Sequence, residues 1–148
     1  MKVFEKLLKN VETVQKALPS IVLDIADQNS HELIDLNVEQ LSKGLTNKGE
    51  LIKPGYVLDS YAQYKRSIGS KAPFGTPDLI LEGDFTGSFF TTKKSDGILI
   101  DSSDIKTGAL TGKYKGAFGL NPASESEFNK TLIPETLKII TNGITNGM

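Results

Sequence analysis

Five carboxylates in the middle of the chain are the residues whose types and spacing could do chemistry. Asp78, Glu82 and Asp84 surround a glycine-containing turn, and Asp101 and Asp104 follow a later apolar run. Carboxylate oxygens can bind a divalent cation, and a pair of carboxyl groups can act as acid and base in hydrolysis. Asp101 and Asp104 do not have the spacing of an EF-hand loop, and aspartate is common in turns for its own hydrogen-bonding reasons. A carboxylate-based hydrolase is therefore the least favoured alternative.

Other residue types used in catalysis are scarce. The chain has no cysteine, which excludes disulfides, thiolate nucleophiles and cysteine-bound metals. Its one histidine, His31, lies in a polar segment that predicts a surface position. No HExxH motif, phosphate-binding loop or dinucleotide-binding motif occurs. The sequence therefore predicts no catalytic residue, no metal ligand and no cofactor, and a protein that is not an enzyme.

Composition predicts one soluble globular domain covering residues 1–148. The chain is 38% hydrophobic and 24% charged, which is ordinary for a domain of this length. It carries 17 basic and 18 acidic residues, so it lacks the basic excess that recognition of nucleic-acid phosphates needs. No apolar run is long enough to span a membrane, and the N-terminal charges do not fit a signal peptide. We expect synthesis in the cytoplasm, no membrane partner and no specific nucleic-acid recognition.

Residues 1–35 predict a helical N-terminal part. Apolar residues recur there in alternating steps of three and four, a period of 3.5 that is typical of a packed helix. They form a seam of Phe4, Leu7, Val11, Val14, Leu18, Ile21 and Ile25. Pro19 should kink this helix or divide it into two pieces that share one apolar face. The seam can pack either on the sheet of its own domain or against a neighbouring subunit.

Residues 36–142 predict hairpins and helices in alternation. We expect a small hairpin over 36–53, a short helix over 59–68, and a second hairpin with strands over 87–93 and 98–101. Residues 102–119 read as a long polar loop with a short strand at 117–118, and this loop is either functional or a solvent-exposed excursion.

Asn121 and Pro122 predict the start of the last helix, with a capping side chain followed by proline at the first helical position. Pro134 should kink or split this helix, and 143–148 should form a frayed tail. The predicted fold class is α+β. An antiparallel sheet packs against a long N-terminal helix kinked near Pro19, a short middle helix and a C-terminal helix.

The segment around the first three carboxylates resembles a known family. The matching residues are Lys71-Ala72-Pro73, Pro77-Asp78-Leu79, Leu81-Glu82-Gly83-Asp84-Phe85 and Ser88-Phe89, followed by a hairpin, a glycine-bearing loop and a closing helix. This order is similar to that of the small tail-completion and head–tail joining proteins of long-tailed bacteriophages, including the virion morphogenesis proteins. The likeness covers roughly residues 59–140.

The resemblance implies a structural protein of the virion, made in the host cytoplasm. Its copies would form a ring at the neck or tail top and contact capsid, portal or tail proteins, with at most passive contact with DNA passing through the ring. Phe89 and Phe90 are adjacent in a strand, so one of them must face away from the core. The expected interface residues are Phe89, Phe90, Lys106, Leu110, Tyr114 and Phe118, together with the helix seam from Phe4 to Leu18. A monomeric module that binds a peptide or small ligand is the main alternative.

Overall fold

Helices make up most of the molecule in the computed structural model, which describes residues 2–80 and 82–148. The elements are α1 (Lys2–Gln28), α2 (Ser30–Ser42), α3 (Asp59–Ser67), α4 (Asp84–Gly87), β1 (Phe89–Lys93), β2 (Ile98–Ser102), α5 (Thr107–Lys113) and α6 (Pro122–Asn146). The two strands form one small antiparallel sheet, and the long helices α1 and α6 pack together. The predicted α+β class is confirmed.

Helices α1 and α6 run antiparallel. Asn10, early in α1, donates its side-chain N–H to the carbonyl of Ile144 at 2.9 Å, near the end of α6. At the other end of α1, Asn29 donates to the carboxylate of Glu135 at 3.2 Å. Val14 meets α6 at Gly143, where the absence of a side chain lets the two helices approach closely.

The hairpin forms where the sequence predicts it. Phe89 pairs with Ser102 and Lys93 with Ile98, and the turn closes with a 2.8 Å hydrogen bond from the N–H of Lys94 to the carbonyl of Gly97. Phe89 packs with Phe85 and Phe118, at ring-centroid distances of 5.1 and 5.3 Å. This aromatic group joins the sheet to the helical core, which includes Leu41 of α2 and Phe128 of α6.

Proline does not divide either long helix. Helix α1 continues through Pro19 to Gln28, and α6 continues through Pro134. Both prolines are exposed, so each helix keeps its inward face packed although one backbone hydrogen bond is lost. The N-terminal helical part is divided at Asn29 instead, where the backbone and side-chain N–H groups both donate to the carbonyl of Ile25.

The predicted hairpin over 36–53 is wrong in its first strand, because that stretch belongs to α2. Two of the four buried residues of α2 are the amides Asn37 and Gln40, which hide the helical period that Leu33 and Leu41 would otherwise reveal. Only an isolated bridge between Leu45 and Leu51 remains of the hairpin.

The prediction of a long loop over 102–119 is also wrong in part. Helix α5 lies inside it, Tyr114 and Ala117 are buried in the core, and the predicted strand at 117–118 is not formed. Asn37 instead binds this segment through its side chain, donating to the carbonyl of Ala117 at 2.9 Å and accepting from the N–H of Gly119 at 3.0 Å. Helix α6 begins at Pro122 as predicted, but it continues to Asn146, past the boundary predicted for a frayed tail.

Candidate functional site

A buried ion pair joins α3 to the loop that precedes α4. The Nζ of Lys65 lies 2.7 Å from Oδ1 of Asp78 and also contacts the carbonyl of Ile80. Ser70 donates its hydroxyl to the other carboxylate oxygen at 2.6 Å, and the backbone N–H of Ile80 donates to Oδ1 at 3.1 Å. This last bond spans Leu79, whose φ of 54° is uncommon for a residue other than glycine. The carboxylate of Asp78 therefore fixes the loop through three contacts, and its charge is compensated by Lys65.

A cleft of about 250 Å³ opens beside this ion pair. Its aromatic wall includes Tyr56, Tyr61, Phe85 and Tyr114, and the rings of Tyr56 and Tyr61 meet edge to face at a centroid distance of 4.8 Å. Burial raises the pKa of the Tyr56 phenol, and the negative charge of Asp78 adds to this effect. The cleft therefore has an aromatic wall beside the compensated Lys65–Asp78 pair, and the charged residues Glu82, Asp84 and Lys106 also line it.

The five carboxylates do not form a shared site in the part of the chain that the structure describes. No group of three or more His, Asp or Glu side chains could hold a metal ion there. Asp84 is exposed, with Lys106 at 4.0 Å, and Asp104 accepts the backbone N–H of Lys106 at 2.7 Å. Asp101 accepts the N–H of Ser102. Turn and loop hydrogen bonding therefore explains Asp78, Asp101 and Asp104.

The first two turns of α1 form an exposed apolar end, which we call the α1 tip and define as Lys2–Lys9. All eight residues are exposed, although four of them are large and apolar: Val3, Phe4, Leu7 and Leu8. Among the described residues, nothing covers the tip, because α6 ends near the level of Asn10, whose side chain donates to the carbonyl of Ile144. A stripe of this kind on a projecting helix indicates a contact surface, since single exposed apolar residues are common but contiguous ones are not.

The predicted seam is therefore split between two environments. Its later part packs inside the molecule, since Val14 is 4% exposed and Leu18 is half-buried. Its earlier part is open, with Phe4 73% and Val11 42% exposed. The later half of the seam packs against helix α6. The earlier half is not covered by any element of the described chain.

The other predicted interface residues also fall into two groups. Phe90 and Lys106 are exposed and available to a partner. The remaining four contact the chain's own core: Phe89, Leu110, Tyr114 and Phe118. The alternation of Phe89 and Phe90 is confirmed, with Phe89 facing inward and Phe90 outward. His31 is exposed, as predicted.

Sequence reasoning missed the pairing of Lys65 with Asp78. In the short helix predicted over 59–68, Lys65 shares the helical spacing of Tyr61 and Tyr64, and a lysine at such a position is itself a signal. A buried lysine needs an opposite charge, and Asp78 was the aspartate in the adjoining loop.

Comparison of the chain with protein-family models, with curated proteins and with solved structures finds no match. Across residues 2–80 and 82–148, no helix has both the length and the apolar character needed to cross a bilayer. The features of the described chain that bear on function are therefore the buried ion pair, the small aromatic cleft and the exposed α1 tip.

Proposed function

We propose that this protein is a structural subunit that acts through protein–protein contacts, and that its partners include copies of itself. The observation that carries the proposal is the α1 tip. A two-turn helical extension gains little stability from its own hydrogen bonds, so its helical form is best supported by packing against another surface. Exposing Val3, Phe4, Leu7 and Leu8 together is costly in water, and burying them would favour association.

The hairpin offers a second surface of the same kind. Phe90 and Leu99 lie on its outward face and are 43% and 51% exposed. No third strand pairs with β1 or β2 within the described residues, so each strand keeps one free edge. Unpaired edges can take up a strand from a neighbour through main-chain hydrogen bonds alone.

The sequence resemblance gives the proposal its biological setting. The turn around Gly83 and the following Ser88-Phe89 are similar to the tail-completion and head–tail joining proteins of long-tailed bacteriophages. We therefore place the chain in the virion, as a ring-forming component of the neck or tail top that contacts capsid, portal or tail proteins. Closed cyclic symmetry would complete such an assembly.

On this proposal a phage genome encodes the chain, and the test uses that phage. Peptides of the chain should be found in purified particles, in a fixed ratio to the other structural proteins. A nonsense mutation in its gene should leave filled heads and tails that do not join, and expression of the chain from a plasmid should restore joining. Normal particles from the mutant would contradict the proposal.

The cleft supports a second candidate, a small binding module. Its volume of about 250 Å³ is below the roughly 300–1,000 Å³ of drug-sized ligand sites, so it suits one side chain of a bound peptide. This candidate predicts that the chain stays monomeric and binds a peptide saturably, with binding weakened by Tyr61→Ala. A chain that assembles regardless of this substitution would argue against it.

A further inference from the structure

We infer that the cleft beside the Lys65–Asp78 pair binds the side chain of a lysine from a partner protein. This inference rests on the proposed function, since it assumes a protein partner, and it names the chemistry by which that partner is recognised. The cleft combines a cavity of about 250 Å³, an aromatic wall and charged groups at its edge. Each of these features limits the kind of side chain that the cleft can hold.

The buried part of the cleft lining is mostly apolar apart from the ion pair. Phe85 and Tyr114 are 4% and 8% exposed, and the half-buried Leu110 of α5 lines the same cavity. The rings of Tyr56 and Tyr61 extend the aromatic surface toward solvent. This surface suits the four-carbon stem of lysine, because covering the stem removes apolar area from water and because tyrosine rings attract a nearby cation.

The charged residues at the edge of the cleft carry more negative than positive charge. We call them the rim and define it as Glu82, Asp84 and Lys106, all of them exposed. Among the described residues, Glu82 has no ion-pair partner, whereas Asp84 has Lys106 within reach. The rim therefore has one carboxylate in excess, and the complementary charge on an incoming side chain is positive.

Lys106 shows what the rim attracts. Its ammonium is the chain's own cation at the cleft, and it lies 4.0 Å from Oδ2 of Asp84. The two side chains are 58% and 60% exposed, and an exposed ion pair of this kind contributes little to stability. A lysine of the partner can therefore replace Lys106 beside Asp84, while Lys106 turns toward water.

The bound lysine lies along the cleft, with its stem against the tyrosine rings and its ammonium at the rim. Lysine commonly covers apolar surface with its stem and keeps its charged end near water. Deeper insertion of the ammonium is unfavourable, because it would lose its hydration and meet the positive charge of Lys65. An acidic side chain in the same place would be repelled by the excess carboxylate.

Tyrosine signals give a direct readout, since three of the four tyrosines in the chain line the cleft: Tyr56, Tyr61 and Tyr114. The probe is a capped peptide with one lysine between glycines, added to the chain with isotope-labelled tyrosine rings. Titration to about 10 mM peptide, followed by NMR, detects a Kd near 1 mM. The three signals should shift saturably.

Two matched peptides test whether the charge of the lysine is recognised. Nε-acetyl-lysine keeps the stem and removes the charge, and glutamate reverses the charge. Each peptide should bind at least about threefold more weakly than the lysine peptide, because it lacks both the ion pair and the attraction to the rings. Equal binding of the acetylated peptide, or no shift with the lysine peptide, would overturn the inference.

Three rim variants test which groups recognise the charge. Glu82→Gln and Asp84→Asn should each weaken binding of the lysine peptide about two- to fivefold, as expected for exposed ion pairs. Lys106→Gln should strengthen binding by about the same factor, because it removes the competing ammonium. Glu12→Gln is the matched control, an exposed glutamate of α1 outside the cleft. Weaker binding by Lys106→Gln, or unchanged binding by both carboxylate variants, would overturn the inference.

The rim positions are exposed, so these variants should fold normally, and circular dichroism checks that they do. Failure of the lysine peptide to bind, together with unjoined heads and tails in the nonsense mutant, would overturn this inference and leave the assembly function standing. Normal joining in the nonsense mutant would instead remove the proposed function, and selective binding of the lysine peptide would still support recognition of lysine by the cleft.

Discussion

Lys65 and Asp78 form an ion pair with an Nζ to Oδ1 distance of 2.7 Å, and their side chains are only 4% and 5% exposed. The pair links α3 to the loop that leads into α4, and hence to the aromatic group around Phe85. Taking two charges out of water costs about as much as their attraction returns, so the intact pair contributes little net stability. Its importance appears when one partner is removed.

Lys65→Met should therefore destabilise the fold strongly. The substitution leaves a buried carboxylate without its cation, and the expected loss is about 3–5 kcal/mol of unfolding free energy. Urea denaturation followed by circular dichroism measures it. The control is Lys43→Met, which removes an exposed pair with Glu39 and should cost about 0.3–0.5 kcal/mol. Similar losses in the two variants would mean that the Lys65–Asp78 pair is not effectively buried.

The contact between α1 and α6 depends on Gly143. A Cβ at this position would lie 2.8 Å from Cγ2 of Val14, closer than side-chain atoms pack. Alanine normally stabilises a helix relative to glycine by about 1 kcal/mol, but here we expect Gly143→Ala to destabilise, because Val14 is β-branched and has little freedom to move.

Three further variants make this expectation specific: Gly112→Ala, Val14→Ala, and the double variant Gly143→Ala/Val14→Ala. Gly112→Ala is the control, since this helical glycine of α5 has open space around it and should gain stability. Adding Val14→Ala to Gly143→Ala should relieve the overlap, so the second substitution should cost less in that background than in the wild type. Thermal unfolding of the four variants supplies the comparison, and simple additivity would contradict it.

Local signals were sufficient to predict the elements whose ends are set by nearby residues. The N-terminus of α6 was predictable because Asn121 accepts the N–H of Ser124 at 2.9 Å and Pro122 follows it. The hairpin was predictable because Asp96-Gly97 marks a turn between two strand-like runs, although the loop spans 94–97 and neither residue takes a positive φ. Both elements depend on contacts between residues that are close together in the chain. The sequence alone is therefore enough to predict them.

The elements that were predicted wrongly depend on tertiary contacts between residues far apart in the chain. Asn37 and Gln40 look like surface residues in the sequence, yet in α2 they are buried and bind the distant segment 117–121. Pro19 looks like a helix breaker, yet packing of Val14 and Ile21 on either side keeps α1 continuous. The ion pair of the candidate site was missed for the same reason, since nothing local brings Lys65 to Asp78.

Asn37→Ala tests how much these buried amides matter. The side chain is fully buried, and it satisfies the carbonyl of Ala117 and the N–H of Gly119. Removing it leaves the buried carbonyl of Ala117 and the part-buried N–H of Gly119 without partners, and the buried group alone should cost about 1–3 kcal/mol. Hydrogen exchange should show faster exchange at the Gly119 amide, and urea denaturation should show the loss of stability. Asn146→Ala, at an exposed position on α6, should change neither measurement.

Tyr56 should make stability depend on pH in the alkaline range. Its pKa in the folded chain is raised, first by burial and then by the negative charge of Asp78. In the unfolded chain the phenol ionises near its ordinary pKa of about 10. Between these two values the unfolded state loses a proton that the folded state keeps, so the free energy of unfolding falls as the pH rises above about 10.

Tyr56→Phe removes this ionisation and should make that alkaline loss of stability shallower. Urea denaturation of both proteins from pH 8 upward measures the difference, with pH 8 as the baseline at which the phenol is protonated in both states. Absorbance at the phenolate band, compared between the two proteins, should show Tyr56 ionising together with alkaline unfolding. Parallel stability curves above pH 10 would mean that Tyr56 ionises freely in the folded chain, and hence that its phenol is open to water.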